Sequence, residues 1–256
     1  MDGKPLKNVD VFKYLGSSIN SSANLDDEVL SRISRASQAF GRLHTRVWQE
    51  RGISTTTKLS VYQAVVLPSL LYGCEAWTCY RRHIRKLDQF HLRCLRKILR
   101  VSWKDHISNQ EILRSSNILS IEALLHKSQL RWTGHVMRME DSRLPKQLFH
   151  AELSSGTRHI GGQRKRFKDT LKSALKSCNI SAHEWQELAQ NRPAWRTAVH
   201  LGVKSFEDKR LQSLDDKRSA RKNRVLDPAT AVNCPTCGKL CASDFGLRAH
   251  SRIHQH

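Results

Sequence analysis

The sequence predicts a mainly α fold: a multi-helix bundle entered through a short β-hairpin and followed by a charged helical linker and a small C-terminal metal-binding unit. Three observations carry that expectation. Apolar residues recur at a helical period over most of residues 21–204, alternation is confined to residues 1–20, and two Cys and two His gather after residue 233 at metal-ligand spacing. The 256 residues are 39% hydrophobic with six Trp, enough to cover a core in one or two domains.

Residues 1–20 read as the hairpin: Val9-Asp10-Val11-Phe12-Lys13-Tyr14-Leu15 alternates loosely and ends at Gly16-Ser17-Ser18. From Leu25 the period becomes 3.6, with Val29, Ile33, Ala36, Phe40, Leu43 and Val47 on one stripe. Asp26, Asp27 and Glu28 suit the positive start of a helix, so one long helix is expected here. A second helix starts at Ser54, carries Leu59, Tyr62, Val65 and Val66, and is kinked or ended by Pro68.

The third helix, near residues 82–100, separates its faces most cleanly. Ile84, Leu87, His91, Cys94, Leu95 and Ile98 form its apolar stripe. Arg82, Arg85, Lys86, Arg93, Arg96, Lys97 and Arg100 lie mostly opposite, with Asp88 the only acidic residue of the segment. Exposed helix faces ordinarily mix both signs, so this one predicts a surface that tracks phosphates.

Capping boxes at Ser108/Glu111 and Ser181/Glu184 announce two further helices, and Ile121, Leu124, Leu125, Trp132, Val136 and Met139 outline another between them. After the break at Gly161-Gly162, the run Gln163-Arg164-Lys165-Arg166-Phe167-Lys168 opens a helix. It buries Phe167, Leu171, Ala174, Leu175 and Cys178, leaving Arg164, Lys165, Lys168, Lys172 and Lys176 as a second basic stripe. Residues 205–233 are charge-dense with few large apolar side chains and read as an exposed helical linker ended by Asp227-Pro228.

Residues 234–256 form the last unit. Cys234 and Cys237 are followed after twelve residues by His250 and after three more by His254. Two thiolates and two imidazoles at this spacing make a closed tetrahedral zinc site, a Cys2His2 zinc finger of ββα form holding one structural Zn²⁺. Gly238-Lys239 suits the hairpin turn and Leu247 the inner face of the finger helix, while Cys241 stands where such fingers usually carry an aromatic. The remaining cysteines, Cys74, Cys79, Cys94 and Cys178, show no metal spacing, and no disulfide framework is expected without a secretion signal.

Lys and Arg number 44 against 23 Asp and Glu, a formal charge of +21 that points to a polyanionic partner, nucleic acid first. An acidic membrane surface is disfavoured by the lack of a lipidation motif or an exposed amphipathic face, and no run approaches the roughly 18 apolar residues of a membrane span. A nuclear or cytoplasmic location, not secretion, is the expectation. In the finger helix, Ser243, Gly246 and Ala249 occupy the base-facing positions, and none can read a base by a bidentate contact. Lys239, Arg248 and Arg252 can reach phosphates, so binding to RNA or DNA of low sequence specificity is expected. A finger that binds another protein, or one that regulates DNA, remains the alternative.

Four segments in order resemble one family: Phe12-Lys13-Tyr14-Leu15-Gly16-Ser17, then Leu70-Leu71-Tyr72-Gly73-Cys74-Glu75-Ala76-Trp77, then Arg131-Trp132-Thr133-Gly134-His135-Val136-Met137-Arg138-Met139, and the terminal Cys2His2 segment. They look like the C-terminal third of non-LTR (LINE-type) retrotransposon reverse transcriptases. The resemblance implies a palm and primer-grip-like hairpin remnant at residues 1–20, a helical thumb-like body at 21–204 and a nucleic-acid-binding zinc-finger tail. It also implies what is missing, since such polymerases hold two Mg²⁺ on palm aspartates in a strand hairpin. The two Asp-Asp pairs here, Asp26-Asp27 and Asp215-Asp216, have no flanking strand. With no GxxxxGK[ST], HExxH or GxSxG motif either, no enzymatic activity is expected.

Overall fold

Helices make up most of the regular structure: eleven α-helices and two two-stranded sheets among the described residues. The computed structural model describes residues 9–14, 16–20, 24–151, 164–223 and 231–255, in two units, Met1–Arg210 and Leu211–His256. The expected mainly α class is therefore the observed one.

The first unit opens with β1 (Val11–Tyr14) paired antiparallel to β2 (Ser17–Asn20), Val11 opposite Asn20 and Tyr14 opposite Ser17. Gly16 makes the turn at φ +82°, a conformation that disfavours side chains. Two strands alone are marginal, and the side chains of β1 are exposed, so the hairpin needs an anchor. Helix α1 (Asp26–Arg42) provides it. The buried Arg32 donates to the Gly16 carbonyl (3.0 Å) and to Ser17 Oγ (2.8 Å) and pairs with buried Glu28 at 2.7 Å. Glu28 in turn accepts from the Ser18 N–H at 2.6 Å. Tyr72 lays its ring 4.6 Å from the Arg32 guanidinium.

The long first helix expected to run through Val47 stops at Arg42 and continues as a π-helical turn, His44–Trp48. The wider turn changes the register and swings Trp48 under Phe40. Their rings stack at 4.7 Å, and the indole N–H donates to the Phe40 carbonyl at 2.7 Å. Ser54 caps α2 (Thr55–Val61) as expected, its Oγ accepting from the Thr57 N–H. Pro68, however, ends no helix. A second π-helical turn, Tyr62–Val66, precedes α3 (Leu67–Leu71), and Pro68 sits in the first turn of α3, where a missing N–H costs least.

Helix α4 (Arg81–Ile98) lies on this layer with Leu87, Phe90, His91, Cys94, Leu95 and Ile98 buried. At its centre the Tyr62 hydroxyl and His91 Nδ1 lie 2.7 Å apart, both residues fully enclosed. Burial pushes the His91 imidazole down to about 4. The unfolded chain therefore takes up a proton below about pH 6.5 that the native chain refuses, so stability falls as pH drops from about 6.5 towards 4. At roughly 1.4 kcal/mol per pH unit the loss approaches about 3 kcal/mol by pH 4. Urea unfolding followed at pH 7.5, 6.0 and 5.0 should show this decline, flattened in His91→Gln; equal slopes for the two chains would contradict it.

A second part of the core is built on α6 (Ile121–Met137), reached through α5 (Asn109–Ser116), whose cap Ser108 accepts from the Glu111 N–H at 3.2 Å. Around α6 lie α7 (Leu144–His150), α8 (Phe167–Ser177), α9 (Trp185–Gln190) and the first part of α10 (Arg192–Lys222). Helix α9 starts at Trp185 without the expected Ser181/Glu184 box: Ser181 contributes its carbonyl, which accepts from the Trp185 N–H at 3.2 Å. At Gly134 the Trp195 indole of α10 packs directly against the α6 backbone. Trp195 donates to the Leu130 carbonyl at 3.0 Å, and a methyl group on Gly134 would overlap the indole. Buried Glu207 binds the start of α6, accepting from Ser120 N–H (3.1 Å) and Oγ–H (2.6 Å) while paired with Arg210. Helix α10 then continues as far as Lys222, into the segment read as a charged linker, whose residues 224–230 lie outside the described residues.

Candidate metal centre and basic surfaces

The described part of the second unit ends in a ββα arrangement. β3 (Val232–Asn233) pairs antiparallel with β4 (Leu240–Cys241), and α11 (Asp244–Ser251) follows. Gly238 adopts φ +70°, letting its own N–H reach the Cys234 carbonyl while the Cys234 N–H reaches the Lys239 carbonyl, both at 2.9 Å. This tight knuckle turns Cys234 and Cys237 to one side. Ser243 caps α11, its Oγ accepting from the Gly246 N–H. Helix α11 passes into a 3₁₀ turn, Arg252–Gln255, which carries His254 one turn beyond His250 on the same side.

The four donors meet. Cys237 Sγ lies 3.1 Å from His250 Nε2, Cys234 Sγ 3.5 Å from His254 Nε2, and the two Nε2 atoms 3.2 Å apart. All four ligand atoms fall within 4.8 Å of one another, so the group can hold one metal ion. Burial works against the Cys234 thiolate, but hydrogen bonds from the Cys237 and Thr236 backbone and from the Cys237 and His254 side chains outweigh it and bring the thiol down to about 6. A thiol already inclined to ionise is a prepared metal ligand. Cys241 stays outside this group, buried with its sulfur 3.9 Å from the Lys239 carbonyl.

The basic residues of α4 divide by position. Near its start, Arg82 is bidentate to Asp26 (2.8 and 3.3 Å) and Lys86 lies 4.0 Å from the same carboxylate. Arg96 is half-buried, its guanidinium donating to the Ile107 carbonyl (2.9 Å) and Asn109 Oδ1 (2.8 Å). Arg85, Arg93, Lys97 and Arg100 are exposed and, among the described residues, have no carboxylate within ion-pair distance. On the second stripe Lys172 is exposed, Lys168 reaches the Ala151 carbonyl at 3.4 Å, and Lys165 sits over the Tyr80 ring, its N–H on the Tyr80 hydroxyl. Arg164 is exposed beside it. In the second unit Lys239, Arg248 and Arg252 are all exposed.

Sequence reasoning missed His44 and Arg51, which share a cleft with Lys97 and Arg100. Their approach is tertiary, set by the π-helical turn, and no local pattern announces it. It also missed Phe245, which is 82% exposed on the finger helix beside the base-facing positions.

A curated protein of Caenorhabditis elegans, described as transposon-derived, is 24% identical to this chain over 202 residues, spanning 76% of this chain and 71% of that protein. No family model matches the chain, and no solved structure matches it. Among the described residues, no helix is long and apolar enough to cross a membrane.

Proposed function

We propose that this chain is a retroelement-derived nucleic-acid-binding protein whose C-terminal unit is a Cys2His2 zinc finger and which has no polymerase activity of its own. The observation that carries the binding reading is the net charge of +21 together with exposed Arg and Lys on α4 that face no carboxylate. The likeness to a transposon-derived protein supports the origin. Zinc is supported by the ligand edges. Tetrahedral Zn–S and Zn–N bonds give S–N and N–N separations of about 3.3–3.6 Å, close to the 3.1–3.5 Å observed. The ion would fix the fold of the unit and leave no open position for catalysis.

The inactive reading rests on the placement of the paired aspartates. Asp26 and Asp27 begin α1, and Asp215 and Asp216 lie within α10, so neither pair has the strand hairpin that a two-metal polymerase uses. Sequence specificity should be low, because Gly246 and Ala249 offer no polar side chain and the Ser243 hydroxyl is engaged in its cap. Competition among unrelated duplexes of equal length tests this together with salt dependence. The expected result is similar competition by all sequences and a slope of log K against log[salt] of about −4 to −5, as for about five phosphates. Strong preference for one short sequence overturns the reading. A second reading, a finger that docks on protein, is favoured by the exposure of Phe245 and Ile253.

A further inference from the structure

We propose that the cleft between the π-helical turn and the C-terminal end of α4 is a phosphate site that seats one backbone phosphate group of a bound nucleic acid, an assignment that rests on the nucleic-acid reading above. The cleft encloses about 390 Å³ and is lined by His44, Trp48, Gln49, Arg51, Lys97 and Arg100. Its lining holds two guanidinium groups, an ammonium, an imidazole and an amide, and no carboxylate. Guanidinium forks match phosphate oxygens in pairs, and an ammonium adds a point charge.

Elsewhere in the first unit Arg81, Arg82, Lys86, Lys146, Arg166 and Arg210 each face an acidic side chain. Arg51, Lys97 and Arg100 have no such ion pair among the described residues. Cations gathered in a concave, partly enclosed space repel one another and concentrate a positive field until an anion enters.

Two features of the backbone hold the cations there. Arg100 has φ +56° and occupies the left-handed position after α4, with the Val101 N–H on the Arg96 carbonyl (2.9 Å) and the Arg100 N–H on the Lys97 carbonyl (3.4 Å). Glycine is the relaxed residue at this position, so an arginine is kept against local strain. Lys58 is buried, and its ammonium donates to the Trp48 (3.2 Å) and Glu50 (2.5 Å) carbonyls, fixing the turn that presents Arg51. Trp48 contributes only an apolar wall, its N–H being committed to Phe40. Two terms oppose anion binding, the negative end of α4 and the Glu50 carboxylate. The first is reduced by the capping bonds on the last carbonyls, and Glu50 Oε1 accepts from the Gly52 N–H at 3.1 Å.

The test uses the full zinc-loaded chain and a fluorescent 12-base-pair duplex, with anisotropy read from 50 to 250 mM KCl. The triple variant Arg51→Gln/Lys97→Gln/Arg100→Gly should flatten the salt slope by about 1, roughly 0.9 for the one phosphate charge no longer met. A control of equal charge change, Arg131→Gln/Lys204→Gln/Lys209→Gln, should leave it nearly unchanged. Equal flattening by both, or by neither while the parent binds normally, overturns the cleft and leaves the wider reading standing. A parent that binds no duplex overturns both. Pyrophosphate that raises the melting temperature of a parent with no duplex affinity would overturn the backbone assignment in favour of a free phosphate. Arg100→Gly alone gives a second readout that needs no triple variant: weaker binding with a higher melting temperature is expected, and a higher melting temperature with unchanged binding overturns the role of Arg100.

Discussion

Removing the metal that Cys234, Cys237, His250 and His254 can hold, with EDTA or by Cys237→Ser, should unfold the C-terminal ββα unit and leave the helices of the first unit standing. The reason is the near absence of a core in residues 231–255. Among the side chains described there, only Cys234 and Cys241 are buried, and α11 buries nothing outright. Eight helical residues and two two-residue strands cannot offset their own ordering entropy. Metal binding, worth about 10–16 kcal/mol for structural Zn²⁺ in zinc-finger peptides, would then be the folding energy itself. All six Trp lie in the first unit, at or before Trp195. Near-UV circular dichroism, which reads those tryptophans, should be unchanged on chelation while amide protection in residues 231–255 disappears. Simultaneous loss of both signals would show that the two units fold as one.

Glu28→Ala should destabilise the first unit by about 3–5 kcal/mol, the cost typical of leaving one partner of a buried ion pair uncompensated. Glu28 and Arg32 have side chains only 3% and 4% exposed, so water cannot replace the missing carboxylate. The substitution also orphans the Ser18 N–H and loosens the guanidinium that holds the Gly16 carbonyl and Ser17 Oγ. The hairpin should detach before the helices melt. Replacing both residues, as Glu28→Leu/Arg32→Met, removes the buried charges but not the unpaired groups of residues 16–18, so it should recover only part of the loss. Urea unfolding measures each step, and a Glu28→Ala loss below about 1 kcal/mol would mean that the pair is hydrated.

These two sites show what the sequence made legible and what it hid. The four metal ligands could be read directly, because ligand spacing in a closed site is a local property fixed by the knuckle and one helical turn. The apolar stripe of α4 was equally plain, since helical periodicity survives any tertiary arrangement. The path from Phe40 to Trp48 was not, because a π-helical turn is chosen by where Trp48 finds its stacking partner and carbonyl, not by the residues within the turn. Pro68 ends no helix for a related reason: α2 runs through a π-helical turn straight into α3, and only the fold decides whether a helix stops at a proline or widens ahead of it. The segments that carried the family resemblance turn out to be tertiary joints. Gly16 and Ser17 receive Arg32, Tyr72 covers that guanidinium, and Gly134 admits Trp195. Composition could count the cations but could not divide them. Arg82 and Lys86 turned out to face Asp26, whereas Lys97 and Arg100 were left to meet Arg51 across the cleft.

If this basic helical chain binds nucleic acid through phosphates, the zinc-loaded protein will bind a labelled duplex with an affinity that drops steeply between 50 and 200 mM KCl. For about five neutralised phosphates, affinity should fall between about 10²- and 10³-fold across that range. Binding that is unchanged by salt, or absent at 50 mM, would contradict phosphate-borne recognition.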